Sequence, residues 1–311
     1  MTIVKNLNLG ASIMHFVLAI GFAIYFGIIN NKYANQPIQG VELSVRDHSI
    51  SISKTICSPP DVGACDATGH KLIGQWNSVE TGTLDIRVLQ GMLISFFLIT
   101  GSFHLFYYLS DNKVEKDENG KDIEQWDNKY TRMISNSNNY FRWIEYSITS
   151  TLMLYIIALT SGVKDTNIYM TLFATNVAMI YTGQIVEEYV RDGKNWVIPM
   201  VLGFVLLISE FVVIIRAFWA RLAEVNSYIN ANQSDPLVTG KSIPSWLNYM
   251  IIVLFIFFSC FGFISLWGAV ANVKYEFIER WYIILSFVAK ATLGVFIAYG
   301  TGQRQKGWKN S

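Results

Sequence analysis

Seven stretches of the chain are apolar over the length that a bilayer demands: residues 9–29, 88–110, 140–162, 166–188, 195–220, 246–270 and 277–302. A hydrocarbon core of ~30 Å is crossed by about 20 residues at the 1.5 Å rise of an α-helix. Each run therefore predicts a transmembrane helix, and together they predict an all-α membrane protein, a seven-transmembrane helix bundle forming one domain over residues 1–311. The first run follows Lys5 and is not trailed by the small residues of a cleavage site, so it reads as a retained helix rather than a signal peptide. The fourth run is the most polar, with Asn176, Thr182 and Gln184 inside it. Such side chains are costly against lipid and useful against other helices, which predicts that this span faces inward.

Two connections are long. Between the first and second spans, residues 31–86 include VELSVRDHSISISKTI, where Val41, Leu43 and Val45, then Ile50 and Ile52, alternate with polar residues on either side of Asp47-His48. A period of two predicts strands, and the polar pair between them predicts a β-hairpin. The segment that follows, CSPPDVGAC, could be closed by a Cys57–Cys65 disulfide, which predicts a compact extracellular cap. Between the second and third spans, residues 111–139 mix both charge signs with Gly and Asn and hold few apolar residues. That is the pattern of a solvated cytoplasmic loop without chemistry of its own.

Composition sharpens the class: 52% hydrophobic and 15% charged residues exclude an ordinary soluble protein. A formal net charge of +1 offers no basic face to nucleic acid, and no such partner is expected. Lys and Arg divide eleven to the N-terminal side and twelve to the opposite side, with Lys290 inside a span, so their asymmetry does not orient the bundle. The cysteine pair and the sequon Asn232-Gln233-Ser234 both fall opposite the N-terminus. Both belong outside the cytosol, which predicts a cytoplasmic N-terminus and an extracellular C-terminus.

Ionisable groups inside the spans carry the candidate chemistry, because an uncompensated charge at mid-bilayer costs ~2.5–3.5 kcal/mol on insertion scales. Lys290 lies about 20 Å into the seventh span, too deep for an easy snorkel. It is either half of a structural charge pair or a reactive amine able to form a Schiff base. Span three offers the counter-charge: Arg142, Glu145 and Thr149 share a face at helical spacing, with Glu145 in the apolar part and Arg142 also suited to an interfacial anchor. Ser286, four residues before Lys290, puts its hydroxyl on the lysine's face or bonds back to a helix carbonyl. His15 and His104, each inside a span, read as satisfied core residues or as parts of a polar network or proton site. Neither has ligand-like spacing, so no metal is expected. Glu210, on span five with Arg216 beyond it, is a neutral acid or a step in a proton route; Glu187 and Glu188 read as solvated helix-end residues.

With these residues in place, the chain resembles the microbial-type retinal proteins, and among them the heliorhodopsins. The carriers are SFVAK, with Ser286 where pumping rhodopsins have Asp four residues before the lysine, and RWIEYS, with Glu145 where they have Asp. The intramembrane histidines and the long strand-rich first loop match as well. Span six departs from the pump pattern in lacking a proline. The resemblance implies that Lys290 holds all-trans retinal as a protonated Schiff base and that Glu145 is its single counterion. It further implies that Ser286, His15, His104, Tyr146 and Thr149 surround the chromophore. It also implies a homodimer in the lipid bilayer that senses light, with an unidentified signalling partner and no enzymatic activity. Ser286 in place of a second acid argues against outward pumping. The rival is a light-gated proton channel or transporter through Glu210, Glu145 and the histidines, with Arg142 on the route; a chromophore-free ligand receptor, with Lys290 and Glu145 paired structurally, is a second.

Overall fold

The computed structural model describes residues 2–32, 40–45, 50–56, 70–76, 79–110, 129–234, 245–271 and 273–305. In chain order these form α1 (Thr2–Lys32), β1 (Gly40–Val45), β2 (Ile50–Ile56), β3 (His70–Trp76), β4 (Val79–Asp85), α2 (Ile86–Leu109) and α3 (Lys129–Ser135). They continue with α4 (Tyr140–Thr160), α5 (Thr166–Arg191), α6 (Val197–Ala231), α7 (Trp246–Val270) and α8 (Tyr275–Gln305). All helices but α3 have 21 residues or more, and they coincide with the seven apolar runs. Six of them are long and apolar enough to cross a membrane. The exception, α5, spans about 39 Å by its 26 residues but is the polar fourth run.

The helices close into a ring: α1 packs on α2, α2 on α4, then α4, α5, α6, α7 and α8 pack in succession, and α8 returns to α1. Large buried side chains such as Leu93, Phe97, Leu154, Phe211, Met250 and Leu293 fill the interior. The outer face is apolar too. On α1 the exposed residues include Ile13, Val17, Ile20, Ile24 and Ile28, a stripe at three- and four-residue steps, while His15, Ala19 and Phe26 are buried. An exposed apolar stripe of that length is a lipid-facing surface. The polar residues of α5 behave as expected of an inward face: Asn176 is buried and donates to Ser150 Oγ and Thr151 Oγ1, both at 2.8 Å.

Local chemistry sets the helix starts. Asp85 accepts the Arg87 amide at 2.8 Å and caps α2, Asn139 accepts the Arg142 amide at 3.2 Å at α4, and Asp165 accepts the Asn167 amide at 2.9 Å at α5. Helix α6 runs eleven residues past the expected end at 220. Its last stretch is no longer apolar but carries helix-forming residues and an Arg221–Glu224 pair at 2.5 Å.

The first loop corrects the expected β-hairpin. Strands form at both alternating stretches, but β1 and β2 do not pair across Asp47-His48. Instead β1 pairs antiparallel with β4, from Gly40 opposite Asp85 to Val45 opposite Val79, and β2 pairs antiparallel with β3, from Ile50 opposite Trp76 to Ile56 opposite His70. The reason lies below the strands. The end of α1 and the start of α2 are bound side by side, Asn30 donating to Gln90 Oε1 at 2.9 Å, so the strands that continue from those two ends meet first. Cys57 and Cys65 lie outside the described residues; Cys260, on α7, is a free thiol. The second loop is not solvated throughout. Its last part folds as α3, with Tyr130, Met133 and Ile134 buried against Val4, Tyr107 and Ile283.

Candidate functional site

Lys290 is the central residue of α8 and is buried, with 3% of its surface exposed. Its Nζ lies 3.3 Å from Glu145 Oε1 on α4 and donates to Ser286 Oγ at 2.6 Å. Glu145, 1% exposed, takes a second hydrogen bond on the same oxygen from Thr100 Oγ1 of α2 at 2.8 Å. Three helices thus converge on one charge pair, and the low dielectric that makes each ion costly alone makes their attraction strong. The ring of Tyr146 lies 5.2 Å from the ammonium, and its hydroxyl donates to the Tyr282 carbonyl at 3.1 Å.

From Lys290 and Ser286 a cavity of about 100 Å³ extends between α4, α5, α6 and α7. Its walls are apolar, among them Met153, Met179, Leu207, Phe258 and Phe261. Glycine sets its width: a Cβ at Gly183 would stand 2.6 Å from the Trp143 ring, and one at Gly262 would stand 2.8 Å from Phe204. The hydroxyl of Thr149 lines the cavity and has no hydrogen-bond partner among the described residues. Helix α7 crosses beside it without a break from Trp246 to Val270.

On the other side of the pair stand the two histidines. His15 Nδ1 lies 2.7 Å from the Ala11 carbonyl and His104 Nδ1 lies 2.7 Å from Asn8 Oδ1. Both partners are acceptors, so each Nδ1 carries the hydrogen and each Nε2 carries a lone pair. The rings stack at 5.6 Å, and neither Nε2 has a partner among the described residues.

Toward the N-terminal end of the bundle, Arg142 is clamped rather than anchored at an interface. Its guanidinium pairs with Glu279 of α8 and Glu187 of α5, donates to Tyr275 Oη at 3.1 Å, and lies 4.2 Å from the Tyr282 ring. Glu187 also accepts from Trp143 Nε1 and from Tyr275 Oη, each at 3.0 Å, and Glu279 accepts from Asn139 Nδ2 at 2.8 Å and Tyr130 Oη at 3.2 Å. The expected solvated Glu187 is therefore corrected: its side chain is 9% exposed, because the buried cation needs it.

Comparison with known proteins decides the family. The model of the heliorhodopsin family matches residues 123–301, more than half of the chain. The chain belongs to the heliorhodopsin family. Among solved structures it is similar to a light-driven proton pump, LR (Mac), from Leptosphaeria maculans, with a TM-score of 0.54 and 11% identity over 96% of each chain. It is also similar to thermophilic rhodopsin, with a TM-score of 0.51 and 12% identity over 98% of this chain and 96% of that one. At such identities the likeness is one of fold. No curated protein matches the chain.

Heliorhodopsin membership implies a retinal chromophore, and the residues present fit one: a primary amine opens onto an apolar cavity where Gly183 and Gly262 stand close to aromatic rings. The structure brings Lys290, Glu145, Ser286, Tyr146 and Thr149 together, with His15 and His104 behind them. Glu210 is not brought in. It is buried on α6, does not line the cavity, and neither carboxyl oxygen has a partner among the described residues. Reading the sequence missed Thr100, Glu279 and Tyr130. Glu279 stands seven residues before Ser286 and eleven before Lys290, one helical face, which is the signal that could have found it.

Proposed function

We propose that this heliorhodopsin is a light sensor holding all-trans retinal on Lys290 as a Schiff base, with Glu145 as its single counterion. The observation that carries this is the Lys290 nitrogen shared between Glu145 and Ser286 at the head of the apolar cavity. Bound there, retinal supplies absorption of visible light and isomerisation of a double bond. The chain supplies the rest: Glu145 keeps positive charge at the nitrogen, Thr100 fixes the carboxylate, and the aromatic walls exclude water. Ser286 stands where a second acid would sit, and Arg142 is engaged by Glu187 and Glu279 instead of by the counterion. With one carboxylate at the nitrogen, the site lacks the staged acids of an outward pump, which favours sensing.

The protein works in the lipid bilayer as a homodimer with its N-terminus in the cytoplasm and its C-terminus outside, passing its signal to a partner protein and catalysing no reaction. The sequence pattern of Cys57 and Cys65 in the first loop and the sequon at Asn232 support that orientation. The competing reading, a light-gated proton channel or transporter, draws on Glu210, Glu145 and the histidines; among the described residues the Glu210 carboxyl and the Nε2 atoms of His15 and His104 have no hydrogen-bond partner. Purified protein incubated with all-trans retinal is expected to develop a visible band that Lys290→Ala abolishes. In a voltage-clamped cell no photocurrent is expected; a light-dependent current reversing at the proton potential would overturn the sensor reading in favour of the channel.

A further inference from the structure

Helix α3 has seven residues, far below the ~12–15 at which an isolated helix becomes stable, so its order depends on docking to the bundle. Part of that dock is apolar: Tyr130 stacks on Tyr107 at 4.7 Å, with Met133 and Ile134 beside it. The other part is a buried polar chain with a fixed direction. His104 Nδ1 donates to Asn8 Oδ1 at 2.7 Å, Asn8 Nδ2 donates to Tyr130 Oη at 3.0 Å, and Tyr130 donates to Glu279 Oε1 at 3.2 Å. Tyr130 is the member of this chain that comes from the loop. At the far end, His104 stacks on His15, whose ring meets Phe287 edge-on at 5.4 Å, three residues before Lys290.

The chemistry of Asn8 determines what this chain can carry. A carboxamide has an acceptor oxygen and a donor nitrogen but does not relay a proton at ordinary cost, so a proton arriving at His104 stops there. Orientation does pass. If His104 gains charge, its Nδ1–H becomes a stronger donor and the whole chain is reinforced. If its tautomer changes, Nδ1 becomes an acceptor, the Asn8 amide must turn over, and Tyr130 loses its donor.

We propose that Asn8 and Tyr130 couple the state of His104 to the docking of α3, making α3 the light-responsive output element at the N-terminal end of the bundle. This rests on the retinal reading above, since light must disturb the site for α3 to respond. Losing the Asn8–Tyr130 hydrogen bond corresponds to about a tenfold change in the docking equilibrium of α3. The amides that report it are those of 133–138, where Asn136 donates to the Arg132 carbonyl and Asn138 to the Met133 carbonyl, both at 2.9 Å.

Hydrogen exchange of the full retinal-bound chain in lipid, in darkness and under continuous light, tests this. In the wild type, exchange at 133–138 is expected to change about tenfold with light. Tyr130→Phe is expected to keep the visible band while exchange there becomes fast and equal in both conditions. Asn8→Leu is expected to retain dark protection, because Tyr130 still reaches Glu279, and to lose the response to light. A pigment that photocycles with light-independent exchange at 133–138 would overturn the coupling, as would an Asn8→Leu protein that responds like the wild type. Failure to form any visible band would instead remove the retinal reading beneath it.

Discussion

Lys290 and Glu145 occupy positions that neither could hold alone. Removing one member of a buried ion pair typically costs about 3–5 kcal/mol, because the other is left without compensation. Retinal-free Lys290→Ala is therefore expected to lose about that much stability, and Lys290→Ala combined with Glu145→Gln to regain most of it. Thermal unfolding in detergent of both single variants and the double variant measures this; a double-variant loss equal to the sum of the two single losses would show that the pair is not coupled. With retinal bound, Glu145→Gln is expected to move the absorption band to longer wavelength or to deprotonate the Schiff base; an unchanged colour and pH titration would remove Glu145 from the counterion role. At this scale the sequence was most legible where charge met an apolar run: Lys290, Glu145, Ser286 and the two histidines all stand out from their surroundings. Thr100 did not, because a hydroxyl in an apolar helix satisfies itself on its own backbone as readily as it reaches a partner. Glu187 and Glu279 lie near helix ends, where acids are ordinary, and their burial follows from Arg142 reaching both.

Periodicity located the elements, but pairing between them required the three-dimensional arrangement. The seven runs became seven helices because length and hydropathy are local properties. Strand partners are not local: alternation marked the stretches around Asp47-His48, yet helix ends joined through Asn30 and Gln90 brought β1 to β4. The same limit applied to α3, whose charged loop gave no apolar period long enough to read. Between α4 and α5 the close approach depends on Gly183. A methyl group there meets the Trp143 ring at 2.6 Å, and Trp143 also donates to Glu187 and lines the cavity. Gly183→Ala is expected to displace the indole into the cavity, so that retinal uptake slows several-fold and the band moves. Uptake kinetics at the wild-type rate, with the wild-type band, would mean that Trp143 yields elsewhere.

The whole molecule is a closed ring with an apolar outside, a polar seam at its N-terminal end and a helix that overshoots the membrane. Helix α6, at 35 residues, is about 52 Å long against a ~30 Å hydrocarbon core. Its apolar part ends near Trp219, so the stretch through Ala231 projects about 18 Å into water and presents Asn232-Gln233-Ser234 in the turn that follows. Charge counting could not orient this ring, since Lys and Arg divide almost evenly between its two ends. The sequon can, because glycan transfer occurs on the luminal side alone and requires an accessible turn. Expressed in a eukaryotic secretory pathway, the chain is expected to show a glycosidase-sensitive mobility shift that Asn232→Gln removes, while an N-terminal tag stays protected in sealed cells. An accessible tag with no glycan at Asn232 would invert the bundle. It would also turn the seam of Arg142, Glu279 and Tyr130 outward, and with it α3, which would remove the cytoplasmic side proposed for its response to light.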